Sequence, residues 1–410
     1  RQREGVYNNF YCKVVLYASI SEGMPKHVEV QAVRTGEPAS IDKFGFYVVN
    51  DTTTEAPANL TTSEEGMLKR EEEFWTSRIC CYLRLSLELH KCEEELNNNN
   101  NSNSNSNSSD NSNDSRFIEV MTLRQAQQRV GKQMRRHIRL YNGVLHATLR
   151  RLVWGFFTGS LQRPASVIQS HHARYISLAD MPVDRSVSDV IRCDLSRTFP
   201  THCLFVGDGS VGQVELRRIL SAFSQLDPAV GYCQGMAFIA ATLLLHAPEE
   251  EAFWMLIHLS FSPLFRMREL FLPGFPLLQV FFAILHRLIE RLLPSLHRHF
   301  LETGVEAVLF ASQWFLTLYT YQFPIDFTSR LWDLFFAEGW RIMFMAAIAI
   351  LQGEKEQLML LDMEETLLWL KDCHDGKSTE EMLRRVRNVP LTEEEFTSLW
   401  RAEEEGREER

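Results

Sequence analysis

The spacing of proline constrains the fold of this chain more than any other feature of its sequence. From Arg116 onward, long segments rich in Leu and Phe alternate with short breaks. Because proline cannot sit inside a regular helix, each break predicts the end of one helix and the start of another. The breaks fall at Pro164, Pro182, Pro200, Pro228, Pro248, Pro263, Pro273, Pro276, Pro294 and Pro324. With no run of alternating β-type residues, this part of the chain is expected to be all-α.

Two stretches are apolar on all sides, as the central helices of a large bundle are. They read GVEAVLFASQWFLTLYTYQF and WRIMFMAAIAILQ. The first overlaps a run of 19 consecutive uncharged residues, Ala307 to Ile325, which is long enough for a membrane span. Its Ser, Thr and Gln side chains and the flanking acids, Glu306 and Asp326, favour a buried helix instead. A membrane-embedded protein is the less favoured alternative.

The first 115 residues have a different pattern. Short runs rich in Val, Tyr and Phe between residues 1 and 50 predict a small β-containing N-terminal extension, and a helical pattern follows it. The tract NNNNNSNSNSNSSDNSNDS predicts a disordered insert because it has no apolar side chains to bury. The predicted organisation is an N-terminal extension at 1–96, the insert at 97–115, a helical domain at 116–400 and an acidic tail at 401–410.

Charge is distributed unevenly along this acidic chain. The formal net charge is −10, yet ten Lys or Arg and no Asp or Glu lie between Glu119 and Asp180. Such a basic stretch suggests contact with phosphate or an acidic partner, and a solvated helix face balanced by acids elsewhere is the simpler alternative. A transient contact with a membrane surface stays open, and no nucleic-acid partner is expected.

The spacing of Cys and His argues against a disulfide framework and against a metal site. The eight Cys are scattered, none forms a Cys-x-x-Cys pair, and reduced thiols in a cytoplasmic protein are expected. There is no phosphate-binding loop, no Gly-x-Gly-x-x-Gly after a predicted strand, no His-Glu-x-x-His and no Gly-x-Ser-x-Gly. We therefore expect no metal, no cofactor of its own and no independent catalytic reaction.

Two short segments place an arginine at helical spacing from a partner. In HATLRRLVWGFFTG, Arg150 and Trp154 are four residues apart, so the guanidinium could lie across the indole. A packed Trp beside a surface Arg is the simpler interpretation. In IRCDLSRTFP, Asp194 and Arg197 are three residues apart. Pro200 ends this element, which predicts Arg197 in its last helical turn, and a structural ion pair is the simpler interpretation.

A third segment, DPAVGYCQGMAFIAATLLLHAP, places Gln234 on a short loop before a helix that begins near Met236. A carboxamide both donates and accepts hydrogen bonds, as the positioning of a nucleophilic water requires. The positive end of the helix dipole also suits an anionic ligand. Arginine and glutamine together match the needs of GTP hydrolysis, which are positive charge on the phosphate oxygens and an oriented water. Loop capping is the alternative for Gln234, and spacing alone does not decide.

The three segments, in this order, resemble the signature of the TBC domain, a family of GTPase-activating proteins for Rab GTPases. That signature is R-x-x-x-W, then I-x-x-D-x-x-R, then Y-x-Q-G. The matching residues are Arg150 and Trp154, then Ile191, Asp194 and Arg197, then Tyr232, Gln234 and Gly235. The likeness begins at about Asp42, skips the Asn/Ser insert and continues to about Trp369. It implies a large multi-helix TBC domain of two helical subdomains at 116–400.

The resemblance also implies roles for the matching residues. Arg197 resembles the arginine finger, and Gln234 resembles the glutamine finger that replaces the GTPase's own glutamine. Asp194 corresponds to the residue that orients the arginine, and Tyr232 corresponds to one that supports the glutamine loop. The remaining positions have supporting or structural roles: Ile191, Gly235, Arg150 and Trp154.

A partner and a cellular role follow from the same resemblance. The implied partner is a Rab-family GTPase in its GTP form, and Mg²⁺ and GTP belong to that partner. The implied role is regulation of vesicle traffic, in the cytoplasm or at the surface of endomembranes. A TBC domain that holds a Rab or a scaffold without accelerating hydrolysis is the alternative.

Overall fold

Helices form every regular element in the part of the chain that this computed structural model describes, which is residues 62–102, 110–160, 165–374 and 376–408. No β-strand occurs in these ranges. The all-α prediction is therefore confirmed. The β-containing extension predicted for residues 1–50 lies outside the described residues.

The described residues divide into two units at Phe157, and each is treated by itself below. The first unit contains two long helices, a short 3₁₀ turn at Ala147–Leu149 and the start of a third helix. These helices are α1 (Thr62–Ser102), α2 (Asp110–Tyr141) and α3 (Arg150–Thr158, whose end belongs to the second unit).

An antiparallel hairpin of α1 and α2 forms the body of the first unit. Residues with higher numbers in α2 contact residues with lower numbers in α1, as expected for antiparallel helices. Arg124 donates to Glu93 at 2.6 Å, and farther along α2 Gln127 donates to Ser86 at 2.6 Å. The facing sides are apolar and fully buried, at Trp75, Ile79, Met134 and Ile138. Burial of such side chains contributes about 1.5–3 kcal/mol each, which is how two otherwise polar helices are held together.

The tract predicted to be a disordered insert, 97–115, differs from that prediction at its flanks. Residues 97–102 extend α1, and residues 110–115 begin α2. Adding a residue to a helix that is already nucleated costs far less than starting one, so the amphipathic sequence beyond each flank can carry polar residues into the helix. Residues 103–109 lie outside the described residues, and the prediction for them stays untested.

The second unit is built from shorter helices, many of which begin or end near the predicted prolines. They are α4 (Ala165–Ala179), α5 (Arg185–Leu195), α6 (Val211–Leu226), α7 (Met236–Leu244), α8 (Glu249–Phe261), α9 (Arg268–Phe271), α10 (Pro276–Leu292), α11 (Pro294–Thr303), α12 (Ala307–Leu316), α13 (Ile325–Glu338), α14 (Arg341–Leu358), α15 (Met363–Asp372), α16 (Thr379–Asn388) and α17 (Glu393–Glu408).

The core of the second unit is apolar and rich in aromatic rings. All nine residues of α7 are buried, as expected for an element with no polar face. Phe281 on α10 lies at a junction, since its ring centroid is 4.6 Å from that of Trp340 and 5.2 Å from that of Phe344. The same ring lies 5.1 Å from Phe315 of α12 and 5.3 Å from Trp400 of α17. One side chain thus connects helices that are far apart in sequence.

The uncharged run from Ala307 to Ile325 does not form the single buried helix that its composition predicts. Helix α12 ends at Leu316, and turns carry the chain to α13 at Ile325. Leu318 and Tyr319 have left-handed backbone angles, φ 48° and 69°, which an α-helix cannot continue through. Both are fully buried, so tertiary packing holds this conformation.

None of the helices among the described residues combines the length and the apolar character needed to cross a membrane. This finding removes residues 307–325 as support for a membrane-embedded protein, because the run is divided between two helices and a turn.

The acidic residues predicted to form a C-terminal tail at 401–410 lie, as far as Glu408, in helix α17. Glu403 is 7% exposed and forms an ion pair with Arg287 of α10. Glu404 pairs with Arg266 at 2.6 Å. Two residues of this acidic run, Glu403 and Glu404, therefore form ion pairs within the fold, whereas the sequence alone predicts a solvated tail.

Candidate functional site

Helix α5 fixes one half of the candidate site. Asp184 caps its first turn, because the carboxylate accepts a hydrogen bond from the Ser186 backbone N–H at 2.8 Å. Ile191 and Asp194 lie on the buried face of this helix. The helix ends at Leu195. Arg197 therefore lies just beyond the helix, in the following turn, and the prediction that it occupies the last helical turn is wrong by two residues.

The turn after α5 is closed by Asp194 itself. The backbone carbonyl of Asp194 accepts from the Thr198 hydroxyl at 2.7 Å and from the Arg197 N–H at 3.2 Å. Phe199 then adopts a left-handed φ of 46° ahead of Pro200. These contacts leave the Arg197 side chain 42% exposed beside a carboxylate that is 3% exposed.

A buried carboxylate holds the arginine. Arg197 Nη2 lies 2.6 Å from Asp194 Oδ1. The Tyr232 hydroxyl donates to the other carboxylate oxygen, Oδ2. Burial, followed by this hydrogen bond, raises the pKa of the Tyr232 phenol well above its usual value, so the hydroxyl stays a donor at neutral pH. Each carboxylate oxygen of Asp194 thus has a partner. Oδ2 accepts from Tyr232, and Oδ1 directs the Arg197 guanidinium.

The glutamine loop forms the other half of the site, and α7 begins at Met236, as predicted. The oxygen and nitrogen of a carboxamide are assigned from their hydrogen-bond partners, and this assignment directs the Gln234 oxygen towards the guanidinium. In that orientation it accepts from Arg197 Nη2 at 2.6 Å and from Nη1 at 3.2 Å. The structure therefore brings together Arg197, Asp194, Tyr232 and Gln234, which are separated by up to 40 positions in sequence.

Gly235 is required at its position for two reasons. Its φ is 104°, a conformation that residues with a side chain rarely adopt. A Cβ there would lie 3.4 Å from the Leu316 carbonyl oxygen and 3.4 Å from Thr317 Cγ2. The end of α12 therefore packs directly against the backbone next to Gln234.

Arg197 and Gln234 line a cleft of about 300 Å³ in the second unit. The end of α12 and the turn after it also line the cleft, with Ser312, Gln313 and Tyr321 among their side chains. None of these three was predicted from sequence. The one available signal was the polar pair Ser-Gln inside the otherwise apolar FASQWF, which marks a helix position that faces water.

Cys233 also lines the cleft, next to Gln234. Burial, with a smaller effect of the Asp194 charge, raises the pKa of its thiol to about 11. Because the thiolate is the nucleophile of cysteine chemistry, this thiol is largely unreactive at neutral pH.

The R-x-x-x-W residues belong to the first unit. Arg150 is 3% exposed, so it is not the surface residue that the simpler interpretation assumes. Its Nη2 donates to the Val144 carbonyl at 3.1 Å, and Trp154 is fully buried. These positions are consistent with packing, and the structural roles assigned to both residues stay predictions.

Two features bear on ligands of the chain's own. Within the described residues, no group of three or more His, Cys, Asp and Glu side chains is arranged to hold a metal ion. The letters GDGSVG at 207–212 match Gly-x-Gly-x-x-Gly, but no strand precedes them in this described stretch. A Cβ on Gly212 would lie 2.6 Å from the Leu204 carbonyl oxygen, so close packing accounts for this glycine.

Comparison with known sequences identifies the domain. A family model described as the Rab-GTPase-TBC domain matches residues 147–359. The Caenorhabditis elegans Rab GTPase-activating protein tbc-11 is 40% identical over 182 residues, covering 44% of this chain and 19% of that protein. The human ecotropic viral integration site 5 protein homolog is 35% identical over 228 residues, covering 56% of this chain and 27% of that protein. The aligned region thus spans about a fifth to a quarter of these relatives' length.

Solved structures share the fold of this chain. The Ypt/Rab-GAP domain of Gyp1p aligns with a TM-score of 0.54 at 23% identity, covering 63% of this chain and 91% of that one. The Chlamydomonas flagellar RabGAP TBC domain aligns with a TM-score of 0.51 at 20% identity, covering 84% of this chain and 97% of that one. At these identities the likeness shows the fold alone. The family match covers more than half of the 410 residues, and the protein therefore belongs to the Rab-GTPase-TBC domain family.

Proposed function

We propose that this protein is a GTPase-activating protein that inserts Arg197 and Gln234 into the nucleotide site of a Rab-family GTPase in its GTP form. The single observation that carries the proposal is the contact between these two side chains, which both line the cleft. With the amide assigned from its hydrogen-bond partners, the Gln234 oxygen accepts from both terminal nitrogens of Arg197, at 2.6 and 3.2 Å. Family membership makes a Rab GTPase the expected partner.

Arg197 would supply positive charge to the phosphate oxygens as the bond to the γ-phosphate breaks. An arginine finger provided in trans is worth about 10³–10⁵ in rate. Charge stabilisation of this kind is effective only when the charge is already in place before the reaction. The 2.6 Å contact with buried Asp194 provides that placement, since it limits the directions that the guanidinium can take.

Gln234 would orient the attacking water. Its carboxamide can accept from the water and donate to the phosphate side, which a charged side chain could not do. In the free protein the assigned Gln234 oxygen faces Arg197. A partner's phosphate would replace that oxygen as the acceptor of the guanidinium N–H groups, which would release the carboxamide for water while Asp194 keeps the guanidinium in place. Tyr232 would act indirectly, because its hydroxyl fixes the carboxylate of Asp194.

GTP and Mg²⁺ would both belong to the partner, and the chain would bring no cofactor of its own. The reaction is then the GTPase's hydrolysis, accelerated by two side chains of this protein. A role in vesicle traffic, in the cytoplasm or at endomembranes, would follow from the choice of Rab.

A screen of GTP hydrolysis across a panel of Rab GTPases tests the proposal. At least one Rab should hydrolyse GTP faster by a factor of about 10³ or more when the protein is added. Binding should be measured in parallel with the GTP-loaded form. If a Rab binds tightly and no member of the panel is accelerated, the protein is a binding module or scaffold and the proposal fails.

A further inference from the structure

One face of α2 carries four cations in a row. Positions three or four residues apart lie on the same side of a helix, and Arg129, Lys132, Arg136 and Arg139 have this spacing. All four are exposed, and no Asp or Glu occurs from Val120 to the end of the helix. At a rise of 1.5 Å per residue this basic stripe is about 15 Å long.

Exposed apolar side chains flank the basic stripe at both ends of the same face. Ile118 is 65% exposed and Met121 is 41% exposed on the N-terminal side. Leu140 is 62% exposed at the C-terminal end. Single exposed apolar residues are ordinary, but here they lie in helical register with the cations and at both ends of them. A partner of this surface must offer negative charge to the cations in the middle and an apolar region to the side chains at the ends.

The stripe is formed before any partner binds. The opposite side of α2 is fixed against α1 through Met134 and Ile138, both fully buried. Glu93 of α1 forms an ion pair with Arg124 of α2 at 2.6 Å, and Arg124 lies outside the basic stripe. The Glu71 carboxylate is buried and accepts from the Leu145 N–H at 2.9 Å. Docking therefore would not require this helix to fold.

We propose that the exposed face of α2 docks on an anionic lipid membrane, with the helix axis lying in the plane of the surface. A helix that lies on a membrane places exposed apolar side chains at the headgroup boundary and cations against anionic headgroups. The apolar side of α2 is packed on α1, so only Ile118, Met121 and Leu140 of its exposed face would enter that boundary. A straight 15 Å row matches a continuous, fluid layer of headgroups, whereas an acidic protein would need carboxylates fixed at the same intervals and a pocket for each apolar end. The proposal does not depend on Arg197 or Gln234.

The contact is weak and reversible when it acts alone. Each Lys or Arg near an anionic surface strengthens membrane partition about fivefold, so four cations contribute a factor of several hundred at most. Two or three partly inserted apolar side chains add to this without making the attachment permanent. The membrane contact would place the protein near a membrane-attached partner without holding it there.

Sedimentation of the full chain with vesicles tests the proposal. Vesicles of phosphatidylcholine with 30% phosphatidylserine should bind the protein, and vesicles of phosphatidylcholine alone should bind it at least tenfold more weakly. The double variant Lys132→Glu/Arg136→Glu should reduce binding to the anionic vesicles by at least about 25-fold and flatten its salt dependence. Ile118→Ser/Leu140→Ser should weaken binding while keeping the salt dependence, because only the inserted apolar atoms change.

A matched control separates the stripe from net charge. Arg217→Glu/Arg384→Glu changes the charge of the molecule by the same amount at two exposed positions of the second unit, and it should bind vesicles like the wild type. Equal losses in both charge variants, or equal binding to neutral and anionic vesicles, would overturn the proposal. So would unchanged vesicle binding by the stripe variant together with weaker GTPase stimulation in solution, since the stripe would then serve a protein partner. Far-UV circular dichroism checks that each variant keeps its helix content.

Discussion

Two Asp–Arg pairs with the same sequence spacing stand side by side at α5, and burial distinguishes them. The side chains of Asp189 and Arg192 are 52% and 77% exposed, with a contact of 3.0 Å. Asp194 is 3% exposed and its partner Arg197 is 42% exposed. Exposed pairs contribute about 0–1 kcal/mol, whereas a buried carboxylate must be held by partners throughout. Spacing alone could not separate the pairs, although the apolar Ile191, three positions before Asp194, was a sequence signal for the buried face.

Replacement of the buried Asp194 should lower the free energy of unfolding more than replacement of the exposed Asp189. Asp194→Ala removes the acceptor of the half-buried Tyr232 hydroxyl, and a buried donor left without an acceptor costs about 1–3 kcal/mol, with the lower end expected here. Asp189→Ala should change the free energy of unfolding by no more than about 0.5 kcal/mol. Urea denaturation measures both. Equal effects of the two substitutions would contradict the description of Asp194 as a buried, doubly bonded carboxylate.

The cleft cysteine should react slowly in neutral solution. A thiol whose pKa is raised to about 11 has far less thiolate at pH 7.5 than an ordinary thiol of pKa near 9. Iodoacetamide should therefore modify exposed Cys193 first, and the rate at Cys233 should keep rising with pH until about 11. Mass spectrometry of the alkylated peptides gives both rates. A Cys233 rate that levels off near pH 9 would show that its thiol is not buried.

At the scale of single elements, the sequence predicted helices better than it predicted where they end. Met236 begins α7 as expected, because Gly235 and a fully apolar segment mark that boundary. The end of α12 was missed, since Leu318 and Tyr319 carry no sequence signal for the left-handed backbone they adopt. That missed turn lines part of the cleft, so Arg197 and Gln234 could be predicted and the residues that share the cleft with them could not.

Gly235→Ala should displace the glutamine loop. The substitution imposes a φ of 104° on a residue with a side chain and adds a Cβ 3.4 Å from the Leu316 oxygen. Left-handed strain costs about 1–2 kcal/mol, and the contact should shift Gln234 and lower GTPase stimulation by about tenfold or more. Gly304→Ala is the control, because its φ is 75° and no atom lies within 4 Å of the added Cβ. It should lower stability by a similar strain and leave stimulation unchanged; if both variants lose activity equally, backbone strain alone is responsible.

At the scale of the whole molecule, the helical class and the order of the three motifs were readable from sequence because each rests on local spacing. The packing junctions were not, since they join distant residues. Phe281 is one of 27 phenylalanines, and nothing in the sequence distinguishes it from exposed Phe261. Its position between α12, α14 and α17 depends on the complete fold.

Loss of that junction should destabilise the second unit strongly. Phe281→Ala leaves a cavity among four aromatic rings, which costs about 3–5 kcal/mol. Phe261→Ala removes a ring that is 48% exposed and should cost about 1 kcal/mol or less. Thermal unfolding followed by circular dichroism compares the two. Similar unfolding temperatures for both variants would mean that Phe281 does not connect these helices.

The central claim is that Arg197 and Gln234 act together on a partner's GTP. Single-turnover hydrolysis by one responsive Rab, with wild-type protein and with Arg197→Ala, Gln234→Ala and Arg192→Ala, tests it most directly. We expect each of the first two variants to lose stimulation by a factor of about 10³ or more while still folding. Arg192→Ala, which removes an exposed arginine of α5, should stay within about twofold of the wild type, as expected for a surface pair. Stimulation at the wild-type rate by either Arg197→Ala or Gln234→Ala would contradict the account.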